Sequence, residues 1–283
     1  MPEPLPHCLN AASAFDAAAR CPFSIDGRRV GSVARLHLAA LREWPQWLQV
    51  DDDQLALTVA PPQRDAALAQ MHQALHAAGL LRGWRDETFA VVDPATLDVL
   101  ARIERAAARF WGTLSFGAHA TGYVVGPDGR PAQLWIAQRA LDKSTDPGLF
   151  DNLIGGGVPA GQTPAEALER EAFEEAGLLP DELRGVRPAG VLCLRRDVAE
   201  GLQHEWLHCF DLELPAGRVP HNQDGEVAGF TLMPVAQALA LASGAAMTVD
   251  AALVTIDFLL RHGLLREPAV AAAVERLRVV HGP

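Results

Sequence analysis

The sequence predicts an α+β protein of two units, a small α+β unit over residues 1–112 and a larger unit over residues 113–283. The chain has 283 residues, room for nearly two domains of about 150, and 49% of them are apolar, enough to bury a core in each unit. After Gly112 the pattern changes from short strands mixed with helices to a series of strands. We therefore expect a mixed sheet with helices packed on it in the larger unit.

The first unit begins with a predicted hairpin and a predicted helix. Asp26-Gly27 is a turn signal between two short apolar segments, residues 23–25 and 29–33, and this arrangement predicts a hairpin. Residues 61–78 have a helical pattern with one apolar face, followed by a glycine that ends it: Leu68, Met71, Leu75 and Gly79.

A strand and a long helix are predicted to complete the first unit. Residues 86–92 have the pattern of a strand. Residues 94–110 begin at a proline, and their apolar residues recur at helical spacing: Leu97, Leu100, Ile103 and Ala107. We expect one helix over this whole segment.

The larger unit contains five predicted strands and three predicted helices. The strands are residues 117–125, 133–138, 186–194, 205–214 and 226–232, and the helices are residues 164–176, 234–242 and 249–262. Pro127-Asp128-Gly129 predicts a hairpin between the first two strands. Residues 140–163 are rich in Gly, Pro, Asp and Thr and predict a long loop, and loops of that length are usually functional.

The charge balance argues against nucleic acid as a partner. Lys and Arg number 24 against 35 Asp and Glu, a net charge of −11, and the isoelectric point is near 5.3. Such a chain has no general field that attracts a phosphate backbone. Lys143 is the only lysine in the sequence.

Cysteine usage and apolar stretches predict a cytoplasmic protein with no membrane partner. The four cysteines form no CxxC pair and no zinc-finger spacing. The N-terminus has an acid and three prolines in place of the basic start and apolar core of a secretory signal. The most apolar later stretch, residues 236–249, has 14 residues, short of the roughly 20 that a membrane span needs.

A glycine-rich segment, residues 155–163, leads into a helix whose ends are clearly marked. Thr163 is a predicted N-cap, Pro164 the first helical residue and Glu166 the partner of a capping box. Gly177 ends the helix.

Three glutamates cluster beside the apolar face of this helix. Glu171, Glu174 and Glu175 cluster about a quarter-turn to one side of that face, and Arg170 is the only basic residue in the helix. Like charges at this spacing destabilise a helix, whereas a divalent cation would make the cluster favourable. Mg²⁺ prefers oxygen ligands and bridges carboxylates to phosphates. The cluster is therefore either a diphosphate-cleaving centre or a solvated acidic face of the helix.

The segment resembles the Nudix box, in which a glycine and a glutamate precede the pattern Arg-Glu-apolar-any-Glu-Glu-any-Gly-apolar. Here the glycine is Gly156, and the pattern is Arg170-Glu171-Ala172-Phe173-Glu174-Glu175-Ala176-Gly177-Leu178. One position departs, because Gln162 stands where the family has the first glutamate. We therefore expect weakened or altered metal binding.

The resemblance implies an α/β/α sandwich with a mixed sheet and a hydrolase that uses Mg²⁺ or Mn²⁺. It implies that Glu174 and Glu175 are metal ligands and that Glu171 is a ligand or orients the attacking water. It also implies that Arg170 holds the site together through an ion pair with Glu174. Glu226 lies where Nudix enzymes often place a further acid, a metal ligand or base, with an ordinary turn carboxylate as the equal alternative.

The flanking residues resemble one branch, the two-domain Nudix proteins related to the extension of fungal thiamine pyrophosphokinase. The similar segments are Trp84-Arg85-Asp86-Glu87, Glu104-Arg105-Ala106-Ala107, Phe116-Gly117-Ala118-His119, Gly122-Tyr123-Val124, residues 143–152 and Asp224-Gly225-Glu226-Val227. This resemblance implies that residues 1–112 are the small domain of that branch and residues 113–283 the Nudix domain with C-terminal helices. It also implies hydrolysis of thiamine diphosphate, or of oxidised forms such as oxothiamine diphosphate, to the monophosphate and phosphate.

A diphosphate substrate with an aromatic ring needs cations and flat partners. The candidate cations lie near strand ends: Arg139, Lys143, Arg195 and Arg196. The candidate ring partners are aromatic residues, for which core packing is the alternative: Trp135, Phe150 and Trp206. The remaining candidates for substrate contact are two glycines of the loop and a histidine: Gly156, Gly157 and His119. Residues of the first unit either reach into the site or hold the interface: Trp84, Arg85 and Glu87.

Two further functions stay open from the sequence. One is hydrolysis of a nucleoside diphosphate derivative such as ADP-ribose. The other is a Nudix-fold module that binds a phosphorylated metabolite without cleaving it, which Gln162 keeps open. Both hydrolase hypotheses expect a small-molecule diphosphate as the partner, the binding module expects a phosphorylated metabolite, and homodimerisation stays open.

Overall fold

The computed structural model describes residues 5–280. The strands are β1 (Arg20–Ile25), β2 (Arg28–Ala34), β3 (Leu48–Val50), β4 (Leu55–Leu57), β5 (Thr88–Val92), β6 (Val99–Glu104), β7 (Leu114–Val125), β8 (Pro131–Arg139), β9 (Phe150–Asp151), β10 (Ile154–Gly157), β11 (Arg187–Val198), β12 (Gly201–Glu213) and β13 (Val227–Pro234). The helices are α1 (His7–Ala11), α2 (Leu38–Leu41), α3 (Arg64–Ala77), α4 (Arg105–Trp111), α5 (Pro164–Ala176), α6 (Val235–Ser243), α7 (Val249–Arg261) and α8 (Pro268–Glu275). Among residues 5–280, no helix combines the length and the apolar character that a bilayer crossing requires.

The first part of the chain builds a small four-stranded sheet in the order β2-β1-β4-β3. β1 and β2 form the predicted hairpin around Asp26-Gly27, and α3 is the predicted helix, followed by Gly79 at φ 75°. Both predictions are confirmed. The sheet, α3 and α4 share one apolar core that includes Phe23, Met71 and Trp111.

The predicted long helix over residues 94–110 is wrong. β5 and β6 form an antiparallel hairpin, and only Arg105–Trp111 is helical. The chain turns at Asp93, whose carboxylate accepts a hydrogen bond from the Ala95 N–H, and Leu97 adopts φ 63°. A side chain that bonds the backbone two residues on favours a turn, and here that preference overrides the helical spacing.

The larger sheet is mixed and, within the described residues, has seven strands. Five lie in the order β11-β12-β7-β8-β13, while β10 pairs with β7 and β9 pairs with β8. β7 and β12 run parallel, and the other pairs are antiparallel. The predicted strands are confirmed, but the predicted loop over residues 140–163 is wrong in part because it contains β9 and β10. Three of the four residues of β10 are glycines, which strands disfavour, so pairing with β7 rather than local preference forms this strand.

Helices cover both faces of this sheet and form the three-layer α/β/α sandwich. On one face, α5 packs through Leu168 and Ala172 into a core shared with the sheet residue Leu212. On the other face, α6 and α7 pack into a core that includes Tyr123, and α1 joins this layer through Leu9. The predicted fold class, an α+β protein with a mixed sheet in such a sandwich, is confirmed.

Candidate active site

A cleft between the first part of the chain and β10 is lined by charged residues of both signs. Four of its cations precede the larger sheet: Arg82, Arg85, Arg105 and Arg109. Two more lie at the end of β8 and just after it: Arg139 and Lys143. The acidic residues of the cleft are Asp146, Asp151, Glu171, Glu175, Glu200, Glu205, Glu226 and Asp250. The glycines of β10 and His119 also line it.

Helix α5 has the ends that the sequence predicts. The Thr163 hydroxyl accepts a hydrogen bond from the Glu166 N–H at 3.2 Å, and the Glu166 carboxylate accepts one from the Thr163 N–H at 2.7 Å. This capping box satisfies two N–H groups at the start of the helix. Gly177 ends the helix in the left-handed conformation at φ 61°. Both ends of the glutamate-bearing helix are therefore held in place.

Two glutamates of α5 point beneath the glycine strand. Glu171 and Glu175 are only 8% and 6% exposed. A Cβ on Gly156 would lie 2.6 Å from Cγ of Glu171, so that position accepts only glycine unless Glu171 moves. Glu175 accepts a hydrogen bond from the Gly155 N–H at 3.0 Å. The strand therefore holds both carboxylates close together at the cleft.

Burial of these carboxylates changes their protonation. Burial raises the pKa of Glu175 well above its ordinary value, and the nearby charges of Glu171 and Asp151 raise it further. Burial also raises the pKa of Glu171, against the opposing charges of Arg170 and Arg105. Two buried carboxylates that destabilise each other's charge are a donor set that a divalent cation fits.

Glu174, unlike the other two carboxylates, does not line the cleft. Its side chain is 41% exposed and accepts a hydrogen bond from Arg170 at 2.9 Å, the predicted ion pair. Arg170 also lies 2.9 Å from the Glu171 carboxylate. Within residues 5–280, no three His, Cys, Asp or Glu side chains are already gathered as a metal-binding group. The structure thus brings together two of the three predicted ligands, because the ion pair with Arg170 holds Glu174 at the helix surface.

Arg139 and His119 are held by polar partners on the loop that carries β9. Arg139 donates a hydrogen bond to Asp151 at 2.9 Å and another to the Thr145 carbonyl at 2.8 Å. His119 Nδ1 lies 3.2 Å from Oδ1 of Asn152. Both residues line the cleft, and their contact with a substrate stays a prediction.

Lys143 and Glu226 form an ion pair at the cleft. Glu226 also accepts a hydrogen bond from Arg85 at 3.0 Å, so one carboxylate bridges two cations. Although burial acts to raise the pKa of Glu226, the hydrogen bond and charge of Lys143 and the charge of Arg85 lower it overall. Arg85 reaches this pair from the first part of the chain. Of the two alternatives left open by the sequence, reaching into the site or holding the interface, Arg85 follows the first.

The predicted aromatic partners lie away from the cleft. Trp135 is buried in the core beneath α5, and Phe150 packs against the core of α7. Trp206 makes an edge-to-face contact with Phe116, with ring centroids 5.9 Å apart. Core packing, the alternative weighed for strand aromatics, describes Trp135 and Phe150.

Three other predicted polar residues also lie outside the cleft lining. Arg196 donates a hydrogen bond to Gln203 at 2.9 Å, and Arg195 stacks over the Phe15 ring at 4.3 Å. Gln162 is exposed just before the cap of α5. The residue that departs from the box is therefore on the surface rather than beside Glu171.

Sequence reasoning missed several cleft residues. They are mostly acids and arginines outside the box: Arg82, Arg105, Arg109, Asp151, Glu200, Glu205 and Asp250. Arg105 and Asp151 fall within two of the flanking segments that carry the resemblance, which was the available signal. The others come from distant elements, and only the tertiary structure brings them to one place.

The fold and site define a protein with a NUDIX domain. Residues 116–251 match the NUDIX domain model, and residues 5–115 match a domain of unknown function, DUF4743. The chain therefore carries a NUDIX domain preceded by a DUF4743 domain. The division at residue 112 stays a prediction.

Two curated plant proteins share both parts of the chain. Nudix hydrolase 20, chloroplastic, of Arabidopsis thaliana is 40% identical over 73% of this chain and 55% of its own length. Nudix hydrolase 24, chloroplastic, of the same plant is 39% identical over 77% of this chain and 60% of its own length. The chain thus spans a little over half the length of these relatives. The crystal structure of DR0079 from Deinococcus radiodurans has a TM-score of 0.48 and 25% identity, covering 60% of this chain and 97% of that one.

Proposed function

We propose that this chain is a metal-dependent hydrolase of the diphosphate bond in a small molecule. The observation that carries the proposal is the pair of buried carboxylates, Glu171 and Glu175, beneath a glycine strand in a cleft that also holds six cationic side chains. The carboxylates suit a divalent cation, and the arginines and lysine suit phosphate oxygens. The plant relatives named Nudix hydrolases support the same chemistry.

Mg²⁺ is the metal that this donor set suits, with Mn²⁺ as the alternative. The ligands would be Glu171 and Glu175, joined by Glu174 only if its ion pair with Arg170 opens. Bound there, the ion would neutralise phosphate charge and acidify the attacking water. Proteins of this family generally use divalent metal ions, which is consistent with these residues.

The chain's own residues bind and orient the diphosphate. Lys143 and Arg139 line the cleft and offer charge-assisted hydrogen bonds to phosphate oxygens. Glu226 organises Lys143 and Arg85, and its lowered pKa makes it a weak base. Arg170 orients Glu171 while it holds Glu174.

Thiamine diphosphate and its oxidised analogues are the substrates we propose. The flanking segments that resemble the thiamine-related branch support this choice. A second support, for thiamine diphosphate itself, is the charge of the cleft, because that molecule has an anionic diphosphate and a cationic thiazolium ring. The cations of the cleft suit the first, and acids away from α5, such as Glu205 and Asp250, suit the second.

Phosphate release measures the proposed activity. With Mg²⁺ present, we expect thiamine diphosphate and oxothiamine diphosphate to yield monophosphate and orthophosphate with a higher kcat/KM than ADP-ribose. Glu175→Gln should lower kcat at least 100-fold, the order of one essential electrostatic group. Glu169→Gln is the matched control, since Glu169 is an exposed glutamate of the same helix outside the cleft.

Three results would contradict the proposal in different ways. A higher kcat/KM for ADP-ribose than for the thiamine compounds would identify a nucleoside diphosphate derivative as the substrate. Calorimetric binding of these diphosphates without any phosphate release would identify a binding module. Equal activity of Glu175→Gln and Glu169→Gln would show that the buried carboxylates take no part in the reaction.

A further inference from the structure

The DUF4743 domain packs directly onto the end of the glycine strand. A Cβ on Gly157 would lie 2.6 Å from Cζ of Phe89, so the Phe89 ring on β5 presses against the backbone of β10. The Ala160 N–H donates a hydrogen bond to the Thr88 carbonyl at 2.8 Å. The N-terminal domain therefore contacts both β10, the strand that covers Glu171 and Glu175, and the segment that follows it.

Arg105, the first residue of α4, lies beside the same two residues, Gly157 and Phe89. The guanidinium carbon lies 3.5 Å from the place of a Gly157 Cβ and 5.5 Å from the centre of the Phe89 ring. Its side chain is 34% exposed and lines the cleft. Its positive charge acts on the Glu171 carboxylate across the cleft.

Glu87 holds Arg105 in this position. Its carboxylate accepts a hydrogen bond from Nη1 of Arg105 at 2.7 Å, and its other oxygen lies 4.0 Å from Nη2 of Arg170. The Arg105 N–H also donates to the Glu87 carbonyl at 2.8 Å. Glu87 thus connects the arginine of the N-terminal domain to the arginine that orients Glu171.

One hydrogen bond uses only part of the Arg105 guanidinium. An arginine has five N–H donors in a planar fork that matches phosphate oxygens. The cation–π contact with Phe89 and the hydrogen bond to Glu87 hold the guanidinium in place, so a phosphate meets an ordered cation beside Glu171. In phosphoryl transfer, an ordered arginine stabilises the charge that develops on the transferred group.

We propose that Arg105, supplied by the DUF4743 domain, is a catalytic residue that binds a substrate phosphate beside Glu171, and that Glu87 is its positioning residue. This inference rests on the proposed diphosphate hydrolysis. It gives the N-terminal domain a direct part in the reaction, because residues 113–283 alone would lack this phosphate-binding cation.

The test compares Arg105→Ala, Arg105→Lys and Glu87→Gln with the control Arg102→Ala. Arg102 lies on the neighbouring strand, pairs with Asp65 and is 59% exposed outside the cleft. We expect Arg105→Ala to lower kcat about 100-fold, as loss of one transition-state donor does, and millimolar guanidinium to restore part of the loss. Arg105→Lys should fall between parent and alanine variant, because it keeps the charge without the fork.

Glu87→Gln separates positioning from binding. We expect its kcat to fall about tenfold with little change in KM, because the phosphate contact remains but the fork is less ordered. Guanidinium should not restore this loss, since Arg105 still occupies the place. If Glu87→Gln loses thermal stability as well as kcat, the contact between Glu87 and Arg105 is a structural ion pair and Glu87 has no positioning role.

Binding of inorganic pyrophosphate in the presence of Mg²⁺, measured by calorimetry, separates this inference from the proposed function. A tenfold or larger loss of pyrophosphate affinity in Arg105→Ala supports the phosphate contact even if no tested substrate is cleaved. If the parent hydrolyses its substrate and folded Arg105→Ala keeps both kcat and pyrophosphate affinity within threefold, the inference is overturned and the proposed function stands. Should Arg105→Ala fail to fold, Arg105→Lys replaces it in this test, with the same tenfold and threefold limits on pyrophosphate affinity and kcat. A parent that neither binds pyrophosphate nor releases phosphate overturns both.

Discussion

Gly156 and Glu171 are fitted to each other: the glutamate side chain occupies the space in which any other residue at position 156 would place its Cβ. The two residues lie on different elements, a short strand and a helix 15 positions apart in the sequence. The glycine is therefore required by packing against the candidate metal ligand, and its role is independent of turn formation.

Gly156→Ala should displace Glu171 and abolish most of the activity. We expect a loss of about 1–3 kcal/mol in the free energy of unfolding, the usual cost of overpacking a tight site, and a fall in kcat of at least tenfold. Urea unfolding and phosphate release measure the two effects. Gly229→Ala is the control, because a Cβ on that strand glycine meets nothing within 4 Å. Equal behaviour of the two variants would show that Glu171 is not held by this contact.

Gln162→Glu tests the departure from the Nudix box. Since Gln162 is exposed outside the cleft, a carboxylate there adds charge at the surface rather than at Glu171 and Glu175. We expect the Mg²⁺ concentration for half-maximal activity and kcat both to change by less than about threefold, as a screened surface charge does. A rise in kcat of tenfold or more would instead support the expectation that Gln162 weakens metal binding.

Lys143→Ala should weaken substrate binding. Loss of one charge-assisted hydrogen bond to a phosphate costs about 1.5–3 kcal/mol, so we expect KM to rise by at least about tenfold. Glu226→Gln should leave kcat within about threefold, because a carboxylate between two cations with a lowered pKa is a poor base. Steady-state kinetics distinguishes the two, and a 100-fold fall in kcat for Glu226→Gln would restore Glu226 as a candidate base.

Stability should fall in acid because of a histidine in the N-terminal domain. Burial lowers the pKa of His72 to about 4 from an ordinary value of 6.5, and its Nε2 accepts a hydrogen bond from the Trp111 indole at 2.8 Å. The unfolded chain binds a proton first as the pH falls, so this contribution is complete above pH 6.5 and is lost between about 6.5 and 4. It amounts to about 3 kcal/mol at most.

Urea unfolding between pH 4 and 7 measures this effect. His72→Gln keeps a hydrogen-bond acceptor for Trp111 but cannot titrate, so its free energy of unfolding should vary less with pH than that of the parent. His7→Gln, at an exposed position, is the control and should follow the parent. Parallel pH profiles for the parent and His72→Gln would place the acid sensitivity elsewhere in the chain.

The errors in predicting the elements share a physical cause. The helical spacing of residues 94–110 was a real local signal, but the turn at Asp93 and the pairing of β5 with β6 outweighed it. β10 had no local signal at all, because glycine has little preference for a strand and only pairing with β7 orders it. By contrast, α5 carries its own capping box, proline start and glycine end, and its predicted bounds match those observed.

The sequence by itself determined the two-unit α+β organisation, the glutamate-bearing helix and the motif that relates it to the NUDIX domain, because caps, turns and apolar periodicity act over a few residues. Only the tertiary structure decided which charges meet in the cleft. It kept Glu174 with Arg170 at the surface, placed Trp135 in the core and brought Arg105 of the DUF4743 domain against Gly157. Those outcomes depend on packing between elements far apart in the chain, on which local preferences carry no information.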